Sequence, residues 1–522
     1  ADYNTIFGQE AMGAGNIGAA ERNTGIGMAV MRSITTGDSN VAVGADALYN
    51  LTEGNDNIAI GRQALGATTT GGENVAIGRQ AMQDLTGGAG ANVGIGYGAM
   101  LDVDEGTGGG DTDYNVAIGY NANYENLTGH DNTTVGSYAG YNLRGTGTTL
   151  VGFEASRYAS GSYNTFMGYR AGRGGTTSAP FSSGQYNTAL GYLALSGFTT
   201  GGGNVAIGNH AGTAITTTGD TVLIGGSAGN DISSTDANGT VLIGSQAGKY
   251  ITSGQGNVAV GFNALTNEDD GDYNTAVGYQ ALTAQTGVSG EVANTAVGWE
   301  AGLSLTTGNQ NTFIGKRAAG ATQDIDRAVA IGVEALGADN ATSDADGTVA
   351  VGWRAGYSIT SGQQNTALGY QALYTEDTGD FNTAIGYQAL YTQNRDGTVG
   401  NTAVGYKAGY DMTTGYENTL IGKEAGVNLT QGEENVMLGQ SAGGSATTQA
   451  SLTLLGFRAG LDLNSDDADG TVLIGRSAGE NITSGIGNVV VGAYALDAED
   501  DGDFNTAIGH QALTSQTGRS GE

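Results

Sequence analysis

The chain has 522 residues, of which 95 are Gly, one is Pro and none is Cys; 52 acidic against 19 basic side chains give a formal net charge of −33. Lack of Cys excludes disulfide staples and thiolate metal centres, and the charge disfavours nucleic acid and anionic membrane surfaces as partners. No apolar run approaches the ~20 residues of a membrane-spanning helix.

The opening phrase, ADYNTIFGQEAM, contains the first of twenty-nine copies of one motif, aligned on Gly8 at the start and Gly509 at the end. Seventeen of the twenty-eight intervals are 17 residues long, and two reach 23. The unit reads Asn-[Thr/Val]-x-[Val/Ile/Leu]-Gly-x-x-Ala-[Leu/Gly]. Asn fills its column in twenty-two copies and Ala, three after the glycine, in twenty-eight. So short a unit cannot bury a core alone, and stability has to come from stacking neighbours. The spacing therefore predicts an all-β chain, a parallel β-solenoid or β-roll of about 29 turns with one 17-residue-type repeat per turn. Strand spacing of about 4.8 Å gives such a stack a length of roughly 140 Å.

Within each turn the residues three and one before the glycine, such as Val75 and Ile77, alternate with a freer position, as in a half-buried strand. Both are expected to face inward, and Ile385→Asp is then expected to place a charge in the core. The glycine permits a tight turn, and the Ala column fits a second short strand across a thin core. Asn tolerates corners and, stacked once per turn, can form a hydrogen-bonded ladder. The middle position is then expected to face outward. It carries Ala in many copies but Leu223, Leu242, Phe313, Leu420, Met437, Leu454 and Leu473 in others. An exposed apolar stripe of that length marks an interface, which parallel association of chains would cover; the stripe argues for burial and does not set the number of chains.

Going along the chain, 101–114 and 173–186 are the longest inserts and read as surface loops. The phrases DANGTVLIGSQAG (236–248), DADGTVAVGWRAG (344–356) and DADGTVLIGRSAG (467–479) show that whole blocks of turns are copied. Acids gather in loops such as NEDDGDYN (267–274), TEDTGDFN (375–382) and DAEDDGDFN (497–505). The chain ends on TSQTGRSGE, matching TAQTGVSGE at 283–291, where the sequence runs on into another turn. One continuous repeat domain over 1–522 is expected. Both ends are expected to be open, as in a segment of a longer fibre or a subunit that self-associates end to end.

With the motif laid out, the chain resembles the head repeats of trimeric autotransporter adhesins of the YadA-like kind, carried by NVAIG at 74–78, 115–119 and 204–208 and NTAVG at 274–278, 294–298 and 401–405. The extended NTAIGYQAL form resembles repeats of phage-type tail-fibre proteins. The resemblance spans essentially all 522 residues. It implies a left-handed parallel β-roll, a homotrimer, and an extracellular binding or spacer module on a cell-surface appendage or virion fibre. The usual turn here is longer than that family's unit.

Candidate sites are few. Asp467 and Asp469, with Asp344 and Asp346 in the matching phrase, set carboxylates around a tight turn and offer oxygen ligands of the kind Ca²⁺ takes; the alternative is a solvated, charge-repelling turn with no ion. The residue after the repeat glycine is aromatic in thirteen copies, as in the run Trp353, Tyr370, Tyr387 and Tyr406. That column reads either as a stacking ladder or subunit contact, or as a platform for sugars. His130, His210 and His510 stand far apart with no nucleophile, phosphate-loop or zinc motif beside them, so no enzyme is expected. Two functional readings follow: an adhesin or tail-fibre-like shaft displaying loops to a host surface or carbohydrate receptor, and a purely structural extracellular filament or sheath subunit. Neither involves membrane insertion of this segment.

Overall fold

The computed structural model describes residues 3–13, 19–85, 88–103, 112–126, 128–286, 289–337, 342 and 345–516. Contacts divide the chain into two units, Ala1–Val260 and Gly261–Glu522. In the first, fifteen three-residue strands run from Thr5–Phe7 to Val258–Val260. In the second, fourteen run from Thr275–Val277 to Thr506–Ile508. Each repeat glycine thus follows one strand, and within each unit successive strands pair in parallel and in register, as in Ile58↔Val75, Ala59↔Ala76 and Ile60↔Ile77. The chain is an all-β parallel β-solenoid, as its periodicity predicts.

The facing of the strand is opposite to the expectation. The middle residue is the buried one: Ala76 and Ala384 have no exposed surface, and neither do Leu223, Leu242, Phe313, Leu420, Met437, Leu454 and Leu473. Those large side chains form the core and are no outward stripe. The flanking residues lie half in water, Ile60 at 39% and Ile77 at 36% exposure, and Ile385 is likewise only partly buried. The reason is volume. Where the middle residue is Ala, the position four after the glycine is often large, as in the pairs Ala76 with Met82 and Ala384 with Leu390. Where the middle residue is large, that position is often Gly: Leu242 with Gly248, Leu420 with Gly426, Leu473 with Gly479. A Cβ on Gly248 would lie 2.7 Å from Leu242 Cδ2. The two columns share one interior space and fill it reciprocally, as close packing requires.

The Ala column is buried as expected, but it lies in a run of turns and not in a second strand. The residues two and four after the glycine are left-handed even when they are not glycine, for example Gln388 at φ 53° and Leu390 at φ 49°. Backbone groups remain satisfied across turns: Gln388 N–H donates to the Tyr370 carbonyl at 2.9 Å and Leu390 N–H to the Ala408 carbonyl at 3.0 Å. The repeat glycine is required by approach as well as by angle. Gly386 has φ 137°, and a Cβ there would lie 2.3 Å from the Gly405 carbonyl oxygen.

The Asn ladder forms. Asn57 N–H and Nδ2 both donate to Asn40 Oδ1 at 3.0 Å, and Nδ2 also donates to the Gly71 carbonyl at 2.9 Å. Asn40 repeats the pattern on Asn23 and Gly54. Where Asn is missing, the neighbouring side chain still accepts from the backbone, as Asn435 Oδ1 does from Leu452 N–H. Most of these amides are buried and take their partners from adjacent turns, which offsets the cost of desolvation; Asn92 and Asn382 keep the side-chain oxygen on the ladder but leave Nδ2 without a partner.

Candidate functional site

Of the four aspartates singled out for Ca²⁺, Asp344 lies outside the described residues. Asp346 accepts the Asp326 N–H at 2.7 Å and sits 3.5 Å from Arg327. Asp469 accepts the Ala450 N–H at 2.8 Å, and Asp467 is an exposed residue of the short 3₁₀ turn Asp466–Ala468. Asp346 and Asp469 belong to a recurring column. Asp326 accepts from Asn309, Asp380 from Gln363 and Asp503 from Ile486, at 2.8, 2.8 and 2.9 Å. In that column a carboxylate satisfies one N–H of the preceding turn, a second ladder that serves the stack.

Three carboxylates approach within 4.8 Å elsewhere, at Glu268, Asp269 and Asp270 and at Glu499, Asp500 and Asp501. The glutamates there are buried. Glu268 Oε1 accepts the Gly271 and Asp269 N–H groups and its Oε2 accepts from Gln285 Nε2 at 2.6 Å. Glu376 occupies the same place in a third copy, where Thr378 replaces the last aspartate. It accepts the Gly379 N–H at 2.7 Å, while its second oxygen has no partner. Burial pushes the Glu376 carboxyl up to about 7, with the nearby Asp377 charge acting in the same direction. Sequence reading took these glutamates for surface acids. For Glu268 the signal is Gln285, seventeen residues on; Gln393 stands at the same spacing from Glu376 but leaves its Nε2 unpartnered.

The aromatic column is a ladder. Trp353, Tyr370, Tyr387 and Tyr406 stack with centroids 4.7, 5.0 and 5.3 Å apart. A second, parallel ladder, absent from the sequence reading, runs through Tyr357, Tyr374, Tyr391 and Tyr410 at 5.3, 5.1 and 5.1 Å. Ring faces are turned to one another, so mainly edges meet solvent, and flat stacking of a sugar on the interior of a ladder is obstructed.

The densest charge constellation was also missed. Glu154, 4% exposed, receives Arg157, Arg170 through Nε at 2.8 Å and Arg173 through Nε at 3.1 Å. Burial works against its charge, but the hydrogen bond and charge of Arg157, followed by Arg170, hold its carboxyl below the usual value. Arg157 follows Glu154 by three residues in the same turn, while Arg170 and Arg173 lie 16 and 19 residues on and are brought to it by the turn length.

The histidines remain separate: His130 meets Asp131, His210 meets Asn209, and His510 lies edge-on to Tyr494 at 6.3 Å. Among the described residues no helix is long and apolar enough to cross a membrane. Neither a protein-family model nor a curated protein matches the chain.

Proposed function

We propose that the chain is the shaft of an extracellular attachment fibre, a non-enzymatic parallel homotrimer that carries its surface loops towards a host surface or a carbohydrate receptor. The observation that supports this reading is the outward face of the sheet. On turn after turn within each unit it presents half-exposed apolar side chains, including Ile60, Ile77 and Ile118 in the first and Ile314, Leu368 and Ile421 in the second. An apolar face repeated at every turn favours lateral association, and weak contacts accumulate along it. The acidic loops, left outside, keep such an assembly soluble.

Light scattering on the purified chain tests the reading. A mass three times the 52.3 kDa of one chain is expected, and the double variant Ile385→Lys with Ile421→Lys is expected to fold but to dissociate. A monomeric mass for the unaltered chain would refute the assembly.

A further inference from the structure

Charge is unevenly spread along this acidic chain. Residues 132–219 hold four arginines, no lysine and a single acid, Glu154, for a net +3 within a total of −33. Three of those arginines, Arg157, Arg170 and Arg173, converge on that one carboxylate. Other arginines are matched singly, Arg317 with Glu300 and Arg354 with Glu334. One carboxylate cannot neutralise three guanidinium groups, so about two positive charges remain in excess.

The groups are also fixed in place. Arg157 lies over Tyr138 at 4.6 Å and Tyr158 at 5.1 Å, Arg173 over Tyr158 at 4.9 Å and Arg170 over Tyr169 at 5.0 Å. Their side chains keep 25 to 35% exposure. Arg170 and Arg173 reach Glu154 through Nε, which leaves the paired terminal nitrogens of each uncommitted to it. Held forks of this kind match the oxygens of a carboxylate or sulfate two at a time.

We propose that Glu154 and its three arginines form an oxyanion-binding site whose ligand is an acidic oligosaccharide bearing carboxylate or sulfate groups. The charge distribution favours a short sugar over nucleic acid. The positive stretch covers five strands, from Thr133–Val135 to Val205–Ile207, or roughly 24 Å at the usual strand spacing. Asp131 and Asp220 bound it, and a long polyanion would run onto repelling turns. Tyr120 packs on Tyr138, and Phe153 and Tyr192 stack on Tyr169, the rings that lie under Arg157 and Arg170; all three are exposed and offer edges to sugar C–H groups. As the receptor chemistry of the fibre, this proposal rests on the attachment reading above; the site itself rests on Glu154 and its partners.

Calorimetric titration of the full chain tests it, with a chondroitin sulfate hexasaccharide, an oligogalacturonate hexamer, neutral maltohexaose and a DNA hexanucleotide. Both acidic sugars are expected to bind at low salt and the neutral sugar to give no heat. R170Q/R173Q, which leaves Arg157 on Glu154, is expected to weaken binding at least tenfold. R458Q/R476Q, at an arginine–aromatic cluster elsewhere, is expected to leave it unchanged. If R170Q/R173Q does not fold by circular dichroism, R170K/R173K decides: lysines keep the charge without the fork, so several-fold weakening supports the site and undiminished affinity overturns it. Absence of binding by either acidic sugar, or DNA bound as tightly as sugar, also overturns it. Oligomeric mass is measured separately, so a failed titration leaves the trimer standing and a monomeric mass leaves the sugar site standing.

Discussion

The strand Thr383–Ile385 and the segment Gly386–Leu390 that follows it are adjacent in one turn but are held by different means. The strand is extended, pairs in parallel with Thr366–Leu368 and Thr402–Val404, and puts only Ala384 into the core. The following segment bends at Gly386 and takes left-handed backbone at Gln388 and Leu390, yet it buries both Ala389 and Leu390. A solenoid turn can therefore be closed by one regular wall and one irregular wall, provided that cross-turn hydrogen bonds satisfy both. What the strand spends in exposure of its flanks, the turn wall recovers by filling the interior.

The largest effect expected is at the strand's centre. Ala384→Asp puts an unpaired carboxylate, and extra volume, into the dry interior between Ala367 and Ala403. Its cost is on the order of 4 kcal/mol. Because each turn contacts its neighbours, the loss should stay local. Hydrogen exchange should show protection lost around residues 366–404 and kept at Val436–Leu438 and beyond. Loss of protection throughout the unit would contradict the independence of its turns.

Next comes the irregular wall. Gly386→Ala forces an L side chain into φ 137° and against the Gly405 carbonyl oxygen, for roughly 3 kcal/mol by strain and displacement. Gln388→Gly relieves left-handed backbone at φ 53° and should be neutral or slightly stabilising, whereas a glycine usually weakens a regular element. Thermal melting of the two variants tests the turn wall: equal destabilisation by both would mean that its left-handed backbone at Gln388 carries no strain.

These two walls also explain what the sequence makes legible. The repeat period, the parallel stacking, the strand before each glycine and the Asn ladder follow from columns that keep one chemistry through the chain, whereas the second strand expected at the Ala column is a run of turns. Facing does not, because a phrase such as Val75-Ala76-Ile77 is apolar at all three positions and a shift of one residue exchanges the faces. The exchange of large and small residues between the strand centre and the fourth position after glycine, seen in Leu242 with Gly248 and Ala384 with Leu390, carries that information, but only as a relation between columns. Left-handed Gln and Leu residues lack a local signature, since glycine is what such backbone ordinarily selects. The Glu154 cluster was hidden for another reason: Arg170 and Arg173 reach the local Glu154–Arg157 pair through the turn length, and no short motif contains all four.

A third test uses Glu376, buried where the chain re-enters the strand. Its folded carboxyl titrates at about 7 against an ordinary 4.5, chiefly from burial. The folded state therefore holds a proton that the unfolded chain has lost between those values. Stability should be greatest below about pH 4.5 for this group, fall as pH rises to about 7, and then level off, by roughly 3 kcal/mol at most. Glu376→Gln should remove that slope while leaving other pH dependence in place. Denaturant melts of both proteins across this range would show it, and parallel curves would mean that Glu376 titrates normally in the folded state.

The smallest effect on folding is expected one residue from the largest. Ile385 looks like a core residue by composition, and an aspartate there would be ruinous if it faced inward. It lies on the strand's flank, in line with Leu368 and Val404 and part-exposed. A carboxylate at that position keeps much of its hydration, so Ile385→Asp should cost about 1 kcal/mol or less in the melting of the single chain, mainly through lost β-propensity and packing. Its effect belongs to association: a charge on the apolar face should weaken the trimer while the strand stays paired. Sedimentation velocity read beside a thermal melt distinguishes the two. A large loss of chain stability, comparable with that of Ala384→Asp, would return Ile385 to the core and reverse the facing of every strand.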